Sequence, residues 1–250
     1  ALEFGGSRVR TEATGYGNAI FMQEMLNQHD EDMKDKSCVI SGSGNVALFC
    51  AQKIIQFGGN VITLSDSGGF IHVPDGLAEE PLQDIIDLTT KRRGRLADFA
   101  EENDIEFHAD KRPWGVTCDL AFPCATQNEL DLDDAKELAE NGCRAVSEGA
   151  NMPTSMDAIR HFHDKGVLFA PGKASNAGGV AMSGLEMAQN SSRMSWSRDR
   201  LEKKLEEIMG DIHEKCVQHG KDGEKVNYVK GANVAGFIKV ADAMLAYGVV

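Results

Sequence analysis

The chain has 250 residues, 42% of them hydrophobic and 26% charged, a globular composition that excludes a disordered tail or a collagen-like repeat. Its 26 Lys and Arg against 39 Asp and Glu give a formal net charge of −13, so its summed field repels nucleic acid and anionic membrane surfaces. No apolar run approaches the roughly 18 residues of a membrane span, and six cysteines without a CxxC pair read as reduced core thiols of a cytoplasmic protein.

The N-terminal ALEFGGSRVR has neither an initiator Met nor a basic-then-apolar signal pattern, and its Gly-Gly-Ser start resembles a linker. We therefore expect a piece of a longer polypeptide. A helical pattern over 12–28 leads into a strand at 37–41 (SCVIS), a helix at 45–57 and a strand at 60–65 (NVITLS). One helix is expected over 81–102, then strands at 105–108 and 119–122, a helix at 131–141, a strand at 144–147, a helix at 154–164 and a strand at 167–170. This alternation predicts an α/β fold with a doubly wound, Rossmann-like parallel sheet of about six strands, followed by C-terminal helices. After Ala170 no strand is expected. Leu201, Leu205, Ile208, Ile212 and Cys216 form one apolar stripe, and Val234, Phe237, Ile238, Ala241, Met244 and Leu245 form a second that must bury its face against something.

Gly42-Ser43-Gly44-Asn45-Val46-Ala47 follows a strand, opens a helix and has the GxGxxA spacing of a dinucleotide-binding turn. Gly42 permits the tight turn, Gly44 lets backbone approach a pyrophosphate, and the small Ala47 lets the helix lie close on the strand. The helix start offers N–H groups and a positive dipole end to phosphate. Asp66, at the end of the second strand, stands where an acidic residue meets the adenosine ribose. Its carboxylate favours NAD, whereas Ser65, Ser67 and the basic run Lys91-Arg92-Arg93 with Arg95 favour the extra phosphate of NADP. On these residues alone both cofactors stay open.

Small polar loops follow the later strands: Pro123-Cys124-Ala125-Thr126-Gln127-Asn128, Glu148-Gly149-Ala150-Asn151, and Pro171 through Gly179. In an open parallel sheet these converge on one crevice, with Asn45, Asn151 and Asn176 as amide partners for a carboxamide. Metal and nucleophile readings fare worse. His161 and His163, two apart on a helix, point about 200° apart. Cys124 has no adjoining base and reads as a buried thiol, and Lys173 reads as a surface lysine. No metal site is expected.

With these motifs assembled, the sequence resembles the nicotinamide-cofactor domain of bacterial glutamate dehydrogenases, in particular the NADP-linked biosynthetic kind. The resemblance rests on RTEATGYG from Arg10, the GSGNVA turn, Ser65-Asp66-Ser67, PCATQNEL from Pro123, EGANMP from Glu148, PGKASNAGG from Pro171, SGLEMAQN from Ser183 and GANVAGF from Gly231. It implies reversible oxidative deamination of L-glutamate to 2-oxoglutarate and ammonia, with NADP, or alternatively NAD, as cofactor. By this resemblance Thr14, Asn45 and Asn151 contact nicotinamide or ribose and Gly42, Gly44 and Val46 line the phosphates, and the reading of the strand ends and loops adds Ser65, Asp66, Arg92, Ala125, Thr126 and Asn176 as cofactor-binding residues. Val180 and Ser183 are assigned to substrate, Ser183 to the glutamate side-chain carboxylate.

The family's substrate-binding lysines and its catalytic lysine and aspartate belong to an N-terminal domain that nothing here resembles. We therefore expect residues 1–225 to form the dinucleotide-binding domain and residues 226–250 a helical segment that packs on that N-terminal domain. The resemblance also implies a homo-oligomer, a hexamer in the full-length enzyme, and a fragment inactive alone. The rival readings are a noncatalytic NAD(P)-sensing domain, another amino-acid dehydrogenase and, on the glycine turn alone, a methyltransferase.

Overall fold

The computed structural model describes residues 2, 4–223 and 225–248. Helix α1 (Ala13–Asn27) is enclosed on most sides, with only Asn27 exposed. Then come β1 (Ser37–Ile40), α2 (Asn45–Gln56), β2 (Asn60–Asp66), β3 (Gly69–His72), α3 (Glu79–Asp87), α4 (Leu96–Asn103) and β4 (Glu106–Ala109). The chain continues through β5 (Leu120–Phe122), α5 (Leu132–Glu140), β6 (Ala145–Ser147), α6 (Met156–Lys165) and β7 (Leu168–Ala170). The short α7 (Gly172–Ser175), α8 (Gly178–Ser192), α9 (Arg198–Gly220), the pair β8 (Lys221–Asp222) and β9 (Lys225–Val226), and α10 (Tyr228–Tyr247) complete it.

The main sheet has the order β4-β3-β2-β1-β5-β6-β7. Six strands share one direction, as expected. β3 is the reversed seventh, pairing antiparallel with both β2 and β4. Four residues that begin with glycine are too brief to show a period, which is why GFIH did not read as a strand. Alternate residues of the strands feed two cores. Cys38, Ile40, Leu120 and Phe122 join α1, α2, α8 and α9 on one face, while Val39, Ala121 and Val146 join Trp114, α5 and α6 on the other. Between β1 and β2 the register jumps, with Cys38 opposite Val61 but Val39 opposite Thr63. On the β2 side the bulge leaves Ile40 without a ladder partner, and the Thr63 hydroxyl takes its place, accepting from Ile40 N at 3.0 Å and donating to Ile40 O at 3.1 Å.

Three sequence expectations need correction. The helix over 81–102 is broken by a π turn (Leu88–Arg92) and by Arg93 at φ +56°. Thr89 and Thr90 hydroxyls take the carbonyls of Ile85 and Ile86 at 2.9 and 2.5 Å, competing with the regular helix. The two-residue ladder of β8 and β9 adds strand structure after Ala170. On α9 the buried line is Leu201, Leu205, Met209, His213 and Cys216, so Ile208 and Ile212 lie beside the stripe, only half-buried. The second stripe is not covered by the described residues. α10 is buried at Tyr228 and Gly231, where it packs on α9, but Phe237 is 69% and Leu245 81% exposed.

His213 joins α9, α10 and α1: its Nε2 lies 3.2 Å from the Tyr228 hydroxyl, and its ring packs edge-on against Phe21 at 5.4 Å. Burial depresses its pKa from 6.5 to about 4. The unfolded chain then takes up a proton that the folded chain refuses. This contribution to stability is complete above pH 6.5 and is lost as pH falls through 4. Urea denaturation at pH 7.5 and pH 5 should show the wild type losing about 2 kcal/mol more than His213→Phe over that step. Parallel pH profiles for the two proteins would contradict this.

Candidate functional site

From β1 the chain moves outward through β2, β3 and β4, then returns to the other side of β1 as β5. The loops leaving β1 and β5 therefore diverge, opening a crevice at the carboxyl ends of the strands. On one wall Gly42 adopts φ +92°, and a Cβ there would meet Ala125 Cα and Cys124 O at 3.1 Å. Only glycine fits both the conformation and the approach. Gly44 has ordinary backbone angles, and a Cβ there would meet nothing within 4 Å, so its open side is the approach route to the helix. No side chain caps α2, whose first-turn N–H groups face the crevice with the positive end of the helix dipole. Asn45 is exposed on that first turn.

The opposite wall is held by two acidic residues that sequence reasoning missed. Glu129 Oε1 accepts from Ala125 N at 2.9 Å and Thr126 N at 3.2 Å, which shapes the loop after β5. Glu148, 4% exposed, accepts from Gly172 N at 2.6 Å and Thr154 N at 3.3 Å, while Ser175 donates to its carbonyl. Burial raises the pKa of both carboxyls, and the backbone N–H donors work against that shift. Asn176 Nδ2 then donates to Asn151 Oδ1 at 2.8 Å and to the carbonyls of Gly149 and Ala150. Behind this wall the fully buried Asn18 of α1 accepts from the Ser147 hydroxyl and points Nδ2 at the Cys124 sulfur, 3.6 Å away. A polar residue directly before the apolar run Ala19-Ile20-Phe21-Met22 was the available signal for it.

The resulting cavity, of about 510 Å³, brings Thr14, Val46, Ala125, Thr126, Asn151, Asn176 and Val180 together with Arg10. Val180 stands at the rim, 78% exposed. Gly178 and Gly179 let α8 lie against α1, since a Cβ on either would collide with Ala13 O or Thr14 Oγ1. That contact places Ser183 beside the cavity, where its hydroxyl accepts from Arg10 Nε at 2.7 Å and donates to Gly179 O at 3.1 Å. In the sequence Arg10 figures only as the start of the RTEATGYG motif. Cys124 is buried at the cavity floor, and all six cysteines are buried and free. Lys173 lies outside this cavity, donating to Asn233 of α10 at 2.6 Å.

At the end of β2, Ser65 is buried and its hydroxyl accepts from Gly42 N at 2.7 Å, so it braces the glycine turn. Asp66 is engaged at both oxygens, accepting from Gly68 N at 2.8 Å and from Leu96 N, the first residue of α4, at 3.0 Å. Arg95 reaches Ser67 Oγ at 2.7 Å. Arg92 is exposed, with no hydrogen bond to residues 65–67. Arg95 belongs to the same basic run, but the break in the helix brings it, rather than Arg92, to Ser67.

Sheet order, glycine turn and crevice define a Rossmann-like, doubly wound α/β unit. The chain belongs to the Glutamate/Leucine/Phenylalanine/Valine dehydrogenase family, whose model matches residues 5–248. It is 55% identical over 249 residues to a glutamate dehydrogenase of Bacteroides thetaiotaomicron, matching 99% of this chain and 56% of that protein. It is 52% identical to the NADP-specific glutamate dehydrogenase of Escherichia coli K12, again over 56% of its length. The crystal structure of Plasmodium falciparum glutamate dehydrogenase superposes with a TM-score of 0.97 at 43% identity, covering 100% of this chain and 54% of that one. The chain thus spans about half the length of the relatives it matches.

The two turn glycines should separate cleanly. Gly42→Ala combines a left-handed φ with a backbone collision and should cost about 1–3 kcal/mol in urea denaturation. Gly44→Ala, which meets nothing, should stay within about 0.5 kcal/mol of wild type.

Proposed function

We propose that this chain is the nicotinamide-cofactor unit of a glutamate dehydrogenase, acting with a substrate-binding domain on reversible oxidative deamination of L-glutamate to 2-oxoglutarate and ammonia. The observation that carries the reading is the crevice itself: an uncapped helix start behind an open glycine, facing a wall of amides and small residues. When bound, the nicotinamide supplies the hydride chemistry. The first turn of α2 receives the pyrophosphate, and Asn151, oriented by Asn176, offers its amide to the carboxamide end. Thr14 and Val46 line the same cavity and would bound the space open to the nicotinamide ring.

For the cofactor we favour NADP. A free carboxylate at Asp66 would repel a ribose phosphate, but this one has both oxygens taken up by backbone N–H groups, one of them at the start of α4. Arg95 and Ser67 stand beside it as donors for phosphate. Arg10 and Ser183, linked to one another at the edge of the cavity, suit the side-chain carboxylate of glutamate, a group absent from leucine, valine or phenylalanine. Six free buried thiols fit a reducing cytoplasm, and no helix among the described residues is long and apolar enough to cross a membrane. The exposed apolar face of α10 fits the N-terminal domain of the same polypeptide, within a homo-oligomer that the resemblance makes a hexamer.

Calorimetry on the purified chain should show NADP binding tighter than NAD, with Arg95→Ala weakening NADP about tenfold or more and NAD little. Equal losses for both cofactors would remove Arg95 from the phosphate site.

The chain alone should not turn over glutamate, because positioning of substrate against cofactor, about 7–11 kcal/mol of a barrier, needs the second domain. In the complete enzyme, Ser183→Ala should raise KM for glutamate about tenfold, the loss of one hydrogen bond to a charged group. A change confined to NADP affinity would reassign that residue.

A further inference from the structure

At the far edge of the sheet, away from the crevice, β3 and β4 bring together three donor side chains that the proposed function does not use. Their antiparallel register sets His72 directly opposite Glu106, and His108 lies two residues beyond Glu106, so all three side chains share one face. His72 Nδ1 is 3.6 Å from Glu106 Oε2, and His108 Nε2 is 3.2 Å from Glu106 Oε1. One donor atom from each residue falls within 4.8 Å of the others.

We propose that His72, Glu106 and His108 form a binding site for a divalent transition-metal ion of the zinc class, which staples β3 to the edge strand β4.

Tetrahedral zinc with bonds of about 2.0–2.1 Å requires donors about 3.3–3.4 Å apart, so these three need only small rotations to close on one ion. Two imidazoles and a carboxylate suit zinc, cobalt, nickel or copper, and an all-oxygen cation such as magnesium poorly. His108 is built for the task in two respects. Its Nε2 is shut off from solvent and its 3.2 Å contact with Glu106 Oε1 falls short of hydrogen-bond geometry, while its ring is held by Phe70, stacked at 4.5 Å and 21°. His72 and His108 line a cleft of about 690 Å³ that shares no lining residue with the crevice and gives water a route to a fourth position, and Glu106 is itself 60% exposed. The location also has a mechanical rationale. β4 is the one strand of the main sheet in which no residue is fully buried, so a cross-strand ligand ties down the strand with the least packing of its own.

The test is calorimetric titration of the EDTA-treated chain with zinc chloride, with magnesium chloride as control and thermal melting alongside. The expected result is one zinc ion per chain, no magnesium binding, and a Tm increase of about 3–6 °C at zinc tenfold above Kd. His72→Gln, His108→Ala and Glu106→Gln should each weaken zinc at least tenfold, while His219→Ala, outside the cluster, should not. Glu106→Gln alters only an exposed side chain, so it keeps the proposal testable if a histidine variant folds poorly. Zinc affinity unchanged in Glu106→Gln and in either histidine variant, or no saturable binding by the wild type, would overturn it.

Discussion

The architecture of the crevice depends on the close approach of the glycine turn after β1 to the loop after β5. These strands are neighbours whose chains depart in opposite directions, so the turn at Gly42 must pass the backbone of Cys124 and Ala125 almost at contact. Hydrogen bonds secure both partners. Gly42 N donates to Ser65, Cys124 N to Ser41, and Ala125 N to Glu129. A crevice assembled in this way is preformed, and its ligand need not supply the free energy of ordering the loops.

Buried carboxylates carry the second tier of this organisation. Glu148 sits where a charge is costly, and burial raises its pKa, but its oxygens satisfy backbone donors from the loops after β6 and β7. The gain is geometric: the loops after β6 and β7 are fixed relative to each other, and Asn176 can then hold Asn151. An apolar residue of the same size would leave Gly172 N–H and Thr154 N–H buried without partners.

Overall charge and local charge act at different ranges. A net charge of −13 opposes an anionic ligand at a distance, yet screening confines that field to about 8–10 Å at ordinary ionic strength. Within the crevice the start of α2 and the guanidinium of Arg10 set the local potential, and beside Asp66 the start of α4 and Arg95 do so. This is how a chain of net negative charge can still present a locally positive crevice.

Strand and helix alternation, the GxGxxA turn and the small polar loops after β5, β6 and β7 were legible in the sequence because each rests on a local property: apolar period, glycine conformation or turn chemistry. Local patterns also placed Val46, Ala125, Thr126, Asn151 and Asn176, and the family resemblance Thr14 and Val180, on what became one cavity. Tertiary structure decided the rest. The reversed β3 exists only through its partners on both sides, and the break at Arg93 determines which arginine reaches Ser67. Glu129, Glu148 and Asn18 acquired their roles from backbone groups distant in sequence or hidden in a loop. A sequence displays the conformational preference of each segment, but a hydrogen-bond partner or a buried charge is defined only once separate segments meet and exclude water.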